Sequence, residues 1–380
     1  MRKVAVVAGT QSGYERKNRS ESTPELIYRV TKQVLKNAGI TRDEIDTVVV
    51  GSCDVMDGIS ISNVYAVASS AAFLKDESKV EEDASFAAFY AWLRILSGAF
   101  DTALVVAWGK GSETEMPLYT GLIFDPLYQR PFGLEAVSGF ALQAKAYMEK
   151  YGVNEEDAAR VVVKNRKNAR LNPYAQVRKE CSVEEVLASE PLATPLKKLD
   201  TPPISDGACA VILAEEHRAR ELCENPVWIK GAGSAVDSYH LGYRDLTELK
   251  ACALAAQKAY EMAGIKNPKK EIDVAEVSEN FSFQEMMLYE ALGFCDRGRG
   301  PDLIRKGTTE MNGALPVNPS GGALCANPTP ATGLIRLAEA ALQLSGQAGE
   351  RQVKNAKTAL VYGTSGLCFQ SNMVFVLDRD

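Results

Sequence analysis

Two halves of this chain repeat one order of elements, and that repeat limits the fold more than any other feature of the sequence. Residues 26–50 read LIYRVTKQVLKNAGITRDEIDTVVV and residues 251–277 read ACALAAQKAYEMAGIKNPKKEIDVAEV. Both run from an amphipathic stretch through a glycine and a charged turn to an Ile-Asp step and a short apolar run. In the first copy Ile27, Val30, Val34 and Ala38 recur at helical spacing. Ser22 or Thr23 can cap that helix, Pro24 suits its first turn, and Gly39 stops it, as Gly264 stops the second copy. The apolar runs that follow have the character of buried parallel strands.

A second pair stands at matching places. SFAAFYAWLRILSG precedes TALVVAWG (102–109), and PATGLIRLAEAALQLSG precedes TALVYGTS (358–365). A third element leads each half, KVAVVAG near the N-terminus and VWIKGAG at 227–233. Each half is therefore strand, helix, strand, helix, strand, which predicts right-handed crossovers and a mostly parallel sheet with helices on both faces. The expected units are residues 1–225 and 226–380. Residues from about 110 to 200 have no copy in the second half and are expected to form a loop domain inserted into the first.

Bulk properties narrow the function. At 380 residues, 46% hydrophobic and 24% charged, the chain is ordinary globular protein. A net charge of -6 with scattered Lys and Arg offers no basic patch, so nucleic acid is not an expected partner. No stretch has the length needed to span a bilayer, and MRKVAVVAGT runs straight into a strand pattern rather than a signal peptide, so no membrane and a cytoplasmic location are expected. Eight cysteines without a CxxC pair fit neither a disulfide scaffold nor a zinc ribbon, and two histidines, His217 and His240, are too few for a His-based cluster. No metal is expected.

Three segments, SDGACAVILAEE (205–216), AEVSENFSFQEMMLYEALGFC (275–295) and VNPSGGALCANPTPATGL (317–334), carry a resemblance to the thiolase superfamily that extends over essentially the whole chain. The sequence resembles the sterol-carrier-protein type in particular. That resemblance implies the thiolase fold, a five-layered αβαβα arrangement of two duplicated mixed-sheet halves. It further implies acyl-CoA substrates, coenzyme A as substrate or product, no covalently bound cofactor, and a homodimer. Thiolase chemistry needs a low-pKa nucleophile, a proton shuttle and donors aimed at developing negative charge.

The family's reactive positions are substituted here. Its nucleophilic cysteine lies just before the helix that ends at Ser97-Gly98. Counting back places Glu81 there, whereas alignment on the Val-Glu step places Ala84 with Ser85 adjacent. No cysteine lies between Cys53 and Cys181, so a thioacyl-enzyme at the usual place is excluded unless a cysteine from elsewhere reaches it. The Gly-His-Pro segment reads Ala326-Asn327-Pro328; Asn327 can donate to an oxyanion but does not titrate. The His-Asp or Asn-Glu motif reads Ser278-Glu279-Asn280-Phe281, and the C-terminal acid/base loop reads VYGTSGLC, placing Tyr362 or Ser365 near the acid/base position with Cys368 beyond.

His240, Asn327, Tyr362, Ser278 and Glu279 are accordingly the candidate catalytic residues, with His240 expected to border the acyl pocket. Asn318, Gly321, Gly322, Cys325, Ser365 and Gly366 are the candidate substrate-binding residues. Glu81, Glu82 and Asp83 form an acidic cluster before a helix, where capping is the favoured role and a buried general base the alternative. The resemblance implies C–C bond cleavage or formation on a bulky 3-oxoacyl-CoA such as 2-benzoylsuccinyl-CoA, without the usual cysteine. Retro-aldol cleavage of a 3-hydroxyacyl-CoA and non-catalytic acyl-CoA binding are the alternatives. Relatives lacking the cysteine imply an accessory subunit with an OB-fold and a zinc ribbon.

Overall fold

A computed structural model describes residues 2–379; Met1 and Asp380, which bound the two expected units, lie outside the described residues. Nine strands form the main sheet: β1 (Val4–Gln11), β2 (Thr47–Gly51), β3 (Asp76–Val80), β4 (Thr102–Lys110), β5 (Asp206–Glu215), β6 (Val227–Val236), β7 (Val274–Val277), β8 (Thr358–Ser365) and β9 (Ser371–Asp378). Their spatial order is β3-β2-β4-β5-β1-β6-β9-β8-β7. Reading outward from the centre, β1-β5-β4-β2-β3 matches β6-β9-β8-β7 step for step. Val317 bridges Ala275 of β7 in parallel, at the place β3 occupies in the other half. The repeat seen in the sequence is thus a repeat in space, and the halves join where Ala5 and Val6 pair with Trp228 and Val227.

The mostly parallel expectation is corrected to a mixed sheet. β2 runs parallel to β3 and β4, and β7 to β8, but β5 is antiparallel to β4 and β1, and β9 to β8 and β6. The link between β8 and β9, residues 366–370, is too short for a parallel crossover, which needs a dozen or more residues, so β9 must reverse. β5 enters after the long insert and is free of that constraint.

The helices that position the site are α1 (Thr23–Ala38), α2 (Ala84–Leu96), α3 (Met116–Gly121), α4 (Ala136–Tyr151), α5 (Glu155–Ala169), α6 (Lys250–Ala263), α7 (Ser282–Ala291) and α8 (Thr332–Ser345). α1 lays Leu26, Ile27, Val30 and Val34 on Val48, Val50, Leu104 and Val106 of the first half. Each such fully buried aliphatic chain contributes about 1.5–3 kcal/mol. α2 and α8 lie side by side between the two halves of the sheet, in a core that joins Val49 and Val105 to Val361 and Phe375. α6 covers the far face on β6 and β9. A Cβ at Gly231 or Gly233 would overlap the carbonyls of Ala259 and Ala255, so the glycines of VWIKGAG let helix and strand approach closely. The order of layers is α1, first half, α2 with α8, second half, α6. Residues between β4 and β5 supply α3 to α5.

Candidate active site

A cavity of about 350 Å3 opens where the central helices begin, at the carboxyl ends of β2 and β8 and under the insert. Its floor is the start of α2. Asp83 is the N-cap: its Oδ1 accepts from Ser85 N–H (3.0 Å) and Ser85 Oγ (2.5 Å). Its Oδ2 accepts from Gly333 N–H at the start of α8 (2.8 Å), so one carboxylate caps both central helices. Those donors favour the charged form, but burial outweighs them and pushes the Asp83 carboxyl up to about 6. Asp83 is the cavity acid whose ordinary range is shifted toward neutrality.

Two donors stand beside it. Thr332 Oγ1 donates to Asn327 Oδ1 (2.7 Å), which engages the amide oxygen within the protein, and Asn327 lines the cavity. Since Thr332 holds Asn327 and Gly333 holds Asp83, consecutive residues of α8 set the two groups in one helical turn. Ser278 lines the same cavity with its Oγ buried and without a hydrogen-bond partner. Its N–H donates to Tyr362 O (3.0 Å), one residue before Gly363, where a Cβ would lie 2.8 Å from Asp83 Oδ1. A buried orphan hydroxyl costs about 1–3 kcal/mol, which a ligand acceptor would recover.

Cys53 and Tyr119 also line the cavity, with Sγ 3.6 Å from the phenolic oxygen. Burial raises the Cys53 thiol and, together with Cys53, the Tyr119 hydroxyl, so both groups stay protonated at neutral pH.

Of the residues singled out in the sequence, Ser278, Asn327, Ser365 and Gly366 line the cavity, and so do Glu81, Glu82 and Asp83 of the acidic cluster. The others are corrected. His240 is not a cavity residue; its Nδ1 accepts from Gly242 N–H (3.1 Å) and caps a single turn, Leu241–Tyr243. Tyr362 points away into the core, where its hydroxyl donates to Asn372 Oδ1 (2.8 Å). Glu279 lies behind the cavity. Its carboxylate accepts from Asn165 Nδ2 (3.0 Å), Asn318 Nδ2 (2.7 Å) and Leu324 N–H (3.1 Å). Burial first, and the Glu285 carboxylate second, push Glu279 well above the usual range.

Asn318, with φ 54°, and Gly321 and Gly322 shape that bracing loop rather than the cavity wall. A Cβ on Gly322 would overlap the Glu279 carboxylate, and one on Gly321 would lie 2.6 Å from Ala169 Cβ. Cys325 is buried against Ala169 and Ala175, and Cys368 donates to Gly139 O (3.4 Å), its thiol pushed up by burial to about 12. Neither thiol reaches the cavity.

Asp83 was visible in sequence only as one member of an acidic cap. The two alignments bracketed it, at Glu81 and Ala84, without landing on it. Cys53 and Tyr119 were missed. The available signal for Cys53 was its place just past Gly51, at the carboxyl end of a strand, where α/β sheets present their ligand sites.

The model of the thiolase C-terminal domain-like family matches residues 233–379. Acetyl-CoA acetyltransferase of Methanothermobacter thermautotrophicus is 33% identical over 376 residues, covering 96% of this chain and 97% of that one. Sterol carrier protein 2 of Oryctolagus cuniculus is 38% identical over 229 residues, 58% of this chain and 41% of that protein. Benzoylsuccinyl-CoA thiolase subunit BbsB of Thauera aromatica is 33% identical over 236 residues, 61% of each. Among solved structures, one described as Ltp2-ChsH2(DUF35) aldolase superposes with a TM-score of 0.87 at 25% identity, over 100% of this chain and 98% of that one. Duplicated fold and end-to-end likeness agree: the chain belongs to the thiolase superfamily, and over part of its length it is similar to the sterol-carrier-protein type.

Proposed function

We propose that this protein cleaves, or in reverse forms, the bond between C2 and C3 of a bulky 3-hydroxyacyl-CoA by a retro-aldol route without an acyl-enzyme. The observation that carries the reading is Asp83: a buried carboxyl, pushed up to about 6, lines the cavity at the start of α2, a helix that contains no cysteine. The carboxylate takes the proton of the 3-hydroxyl and the C2–C3 bond breaks, leaving a carbonyl product. The electron pair passes into the thioester as an enolate, whose oxygen is held by Ser278 Oγ–H and Asn327 Nδ2–H. Protonation at C2 by the Asp83 carboxylic acid then releases the shortened acyl-CoA and restores the base. Apolar lining by Met56, Met116, Ile123, Val137, Phe140 and Phe281 supports a bulky acyl group.

Direct attack by free CoA would require two pantetheine arms in the cavity at once. At about 350 Å3 the space lies near the lower end of ligand pockets and suits one. A second reading, acyl transfer through a displaced thioester on Cys53, is favoured by the presence of that thiol in the wall and by the acetyltransferase relative. Incubation with 3-hydroxyacyl-CoA thioesters in the absence of free CoA tests the proposal. It predicts equal amounts of a carbonyl compound and a shorter acyl-CoA, and a strict requirement for added CoA would refute it.

The reading includes an accessory subunit. Leu118, Leu122, Leu127, Tyr128 and Phe132 are exposed on the segment that roofs the cavity, and the solved structure that superposes on the whole chain is an Ltp2-ChsH2(DUF35) aldolase. β3 has an unpaired outer edge, which supports the homodimer as well.

A further inference from the structure

We infer that the acyl group admitted by this cavity carries no negative charge, so that the substrates are neutral, apolar acyl-CoA thioesters and dicarboxylic ones are rejected. This inference rests on the reaction proposed above and names its substrate class. Four carboxylates, Glu81, Glu82, Asp83 and Glu135, line the cavity, and among the described residues no Lys, Arg or His does. Glu81 lies 2.5 Å from Lys79 Nζ, but that one ammonium is shared with Asp54, which leaves the trio with a net negative charge. Glu135 accepts from the N–H groups of Val137 and Ser138 at the start of α4 (2.9 Å each), and Glu82 accepts from Ser371 Oγ (3.2 Å); among the described residues neither forms an ion pair.

A substrate carboxylate in this space would surrender its hydration among like charges and gain no counter-ion. The pantetheine arm that enters with the thioester is itself uncharged, and the phosphates of CoA remain at its far end. The wall therefore discriminates on the acyl side alone. A thioester such as 2-benzoylsuccinyl-CoA, which the sequence resemblance brings forward, carries a free carboxylate next to the reacting carbons and falls on the rejected side.

The test compares the 3-hydroxy form of 2-benzoylsuccinyl-CoA with its methyl ester, which removes the charge and adds one methyl group; the Glu82→Gln variant separates the two effects. Dissociation constants are measured calorimetrically on the full chain at 0.15 M salt, and cleavage of both compounds is followed separately. The ester is expected to bind at least about tenfold more tightly. Glu82→Gln, which removes one wall charge without touching a helix cap or an ion pair, is expected to narrow that ratio. Equal or tighter binding of the free acid overturns the inference, and so does failure of both compounds to bind. If the ester binds more tightly but neither compound is cleaved, the charge selection stands and the proposed reaction falls.

Discussion

Asp83→Asn isolates the titratable role of the carboxyl from its role as a cap. Raising a carboxyl from 3.8 to about 6 corresponds to about 3 kcal/mol in favour of the neutral acid, so the wild-type protein bears that cost whenever Asp83 is ionised. The amide removes the cost but turns one acceptor into a donor, against either Ser85 N–H or Gly333 N–H, which loses a charge-assisted bond of about 1.5–3 kcal/mol. The two effects oppose each other and nearly cancel at neutral pH, so the melting temperature should stay within about 4 °C of wild type. Activity should not. A positioned general base contributes about 10²–10⁴-fold, or about 3–5.5 kcal/mol of barrier.

The pH profile gives the sharper readout. The base must be ionised, so kcat/KM for the wild type should rise about tenfold per pH unit below about 6 and level off above it. Asp83→Asn should lose both the rate and that limb. Steady-state kinetics from pH 5 to 8, beside thermal melts, checks both. Retention of activity within about threefold, or of a limb near 6 in the variant, would refute the assignment of Asp83 as base.

Ser278→Ala removes a hydroxyl that has no partner within the protein, so kcat should fall roughly 10²-fold or more while the melting temperature holds or rises; a parallel loss of both would mark a merely structural role. Asn327→Ala should lower kcat similarly and also destabilise by about 1 kcal/mol, because Thr332 Oγ1 loses its acceptor; kinetics and chemical denaturation separate the two effects. Gly322→Ala places a Cβ into the Glu279 carboxylate at φ 68° and should destabilise by more than about 3 kcal/mol, read in a denaturation midpoint. Asp83 and Glu279 both bind protons more tightly in the folded than in the unfolded chain. Their contribution to stability is therefore present below the ordinary carboxyl range and lost as pH rises, for Asp83 through about 6; melting temperatures that climb steadily from pH 5 to 8 would contradict this.

The fold was legible because its information is local and doubled. Helical spacing at Ile27, Val30 and Val34, glycine stops at Gly39 and Gly264, and the glycines of VWIKGAG each encode one element, and the two copies corroborate one another. Strand direction was not legible to the same degree, since it depends on the brevity of the 366–370 link rather than on strand composition. The site was read in part. Ser278, Asn327, Ser365 and Gly366 come from three separate motifs, and the structure brings them to one cavity.

His240, Tyr362 and Glu279 were chosen for what their side chains can do, and burial and hydrogen bonding decide otherwise. A tyrosine hydroxyl satisfied by Asn372 and a glutamate held by two asparagines are core and loop supports. Asp83 shows the converse case. Capping and titration are compatible roles for one carboxylate when burial is complete enough to outweigh its donors, and sequence carries no measure of that burial. Cys53 comes to Tyr119 through tertiary packing of segments far apart in the chain, which no spacing within either segment encodes.

The central claim, carbon–carbon cleavage without an acyl-enzyme, is tested most directly by the mass of the intact protein quenched during steady-state turnover of a neutral 3-hydroxyacyl-CoA. The account predicts an unmodified chain while the carbonyl product and the shortened acyl-CoA accumulate together. A stoichiometric acyl increment that maps to Cys53 would contradict it and establish a displaced thioester in its place.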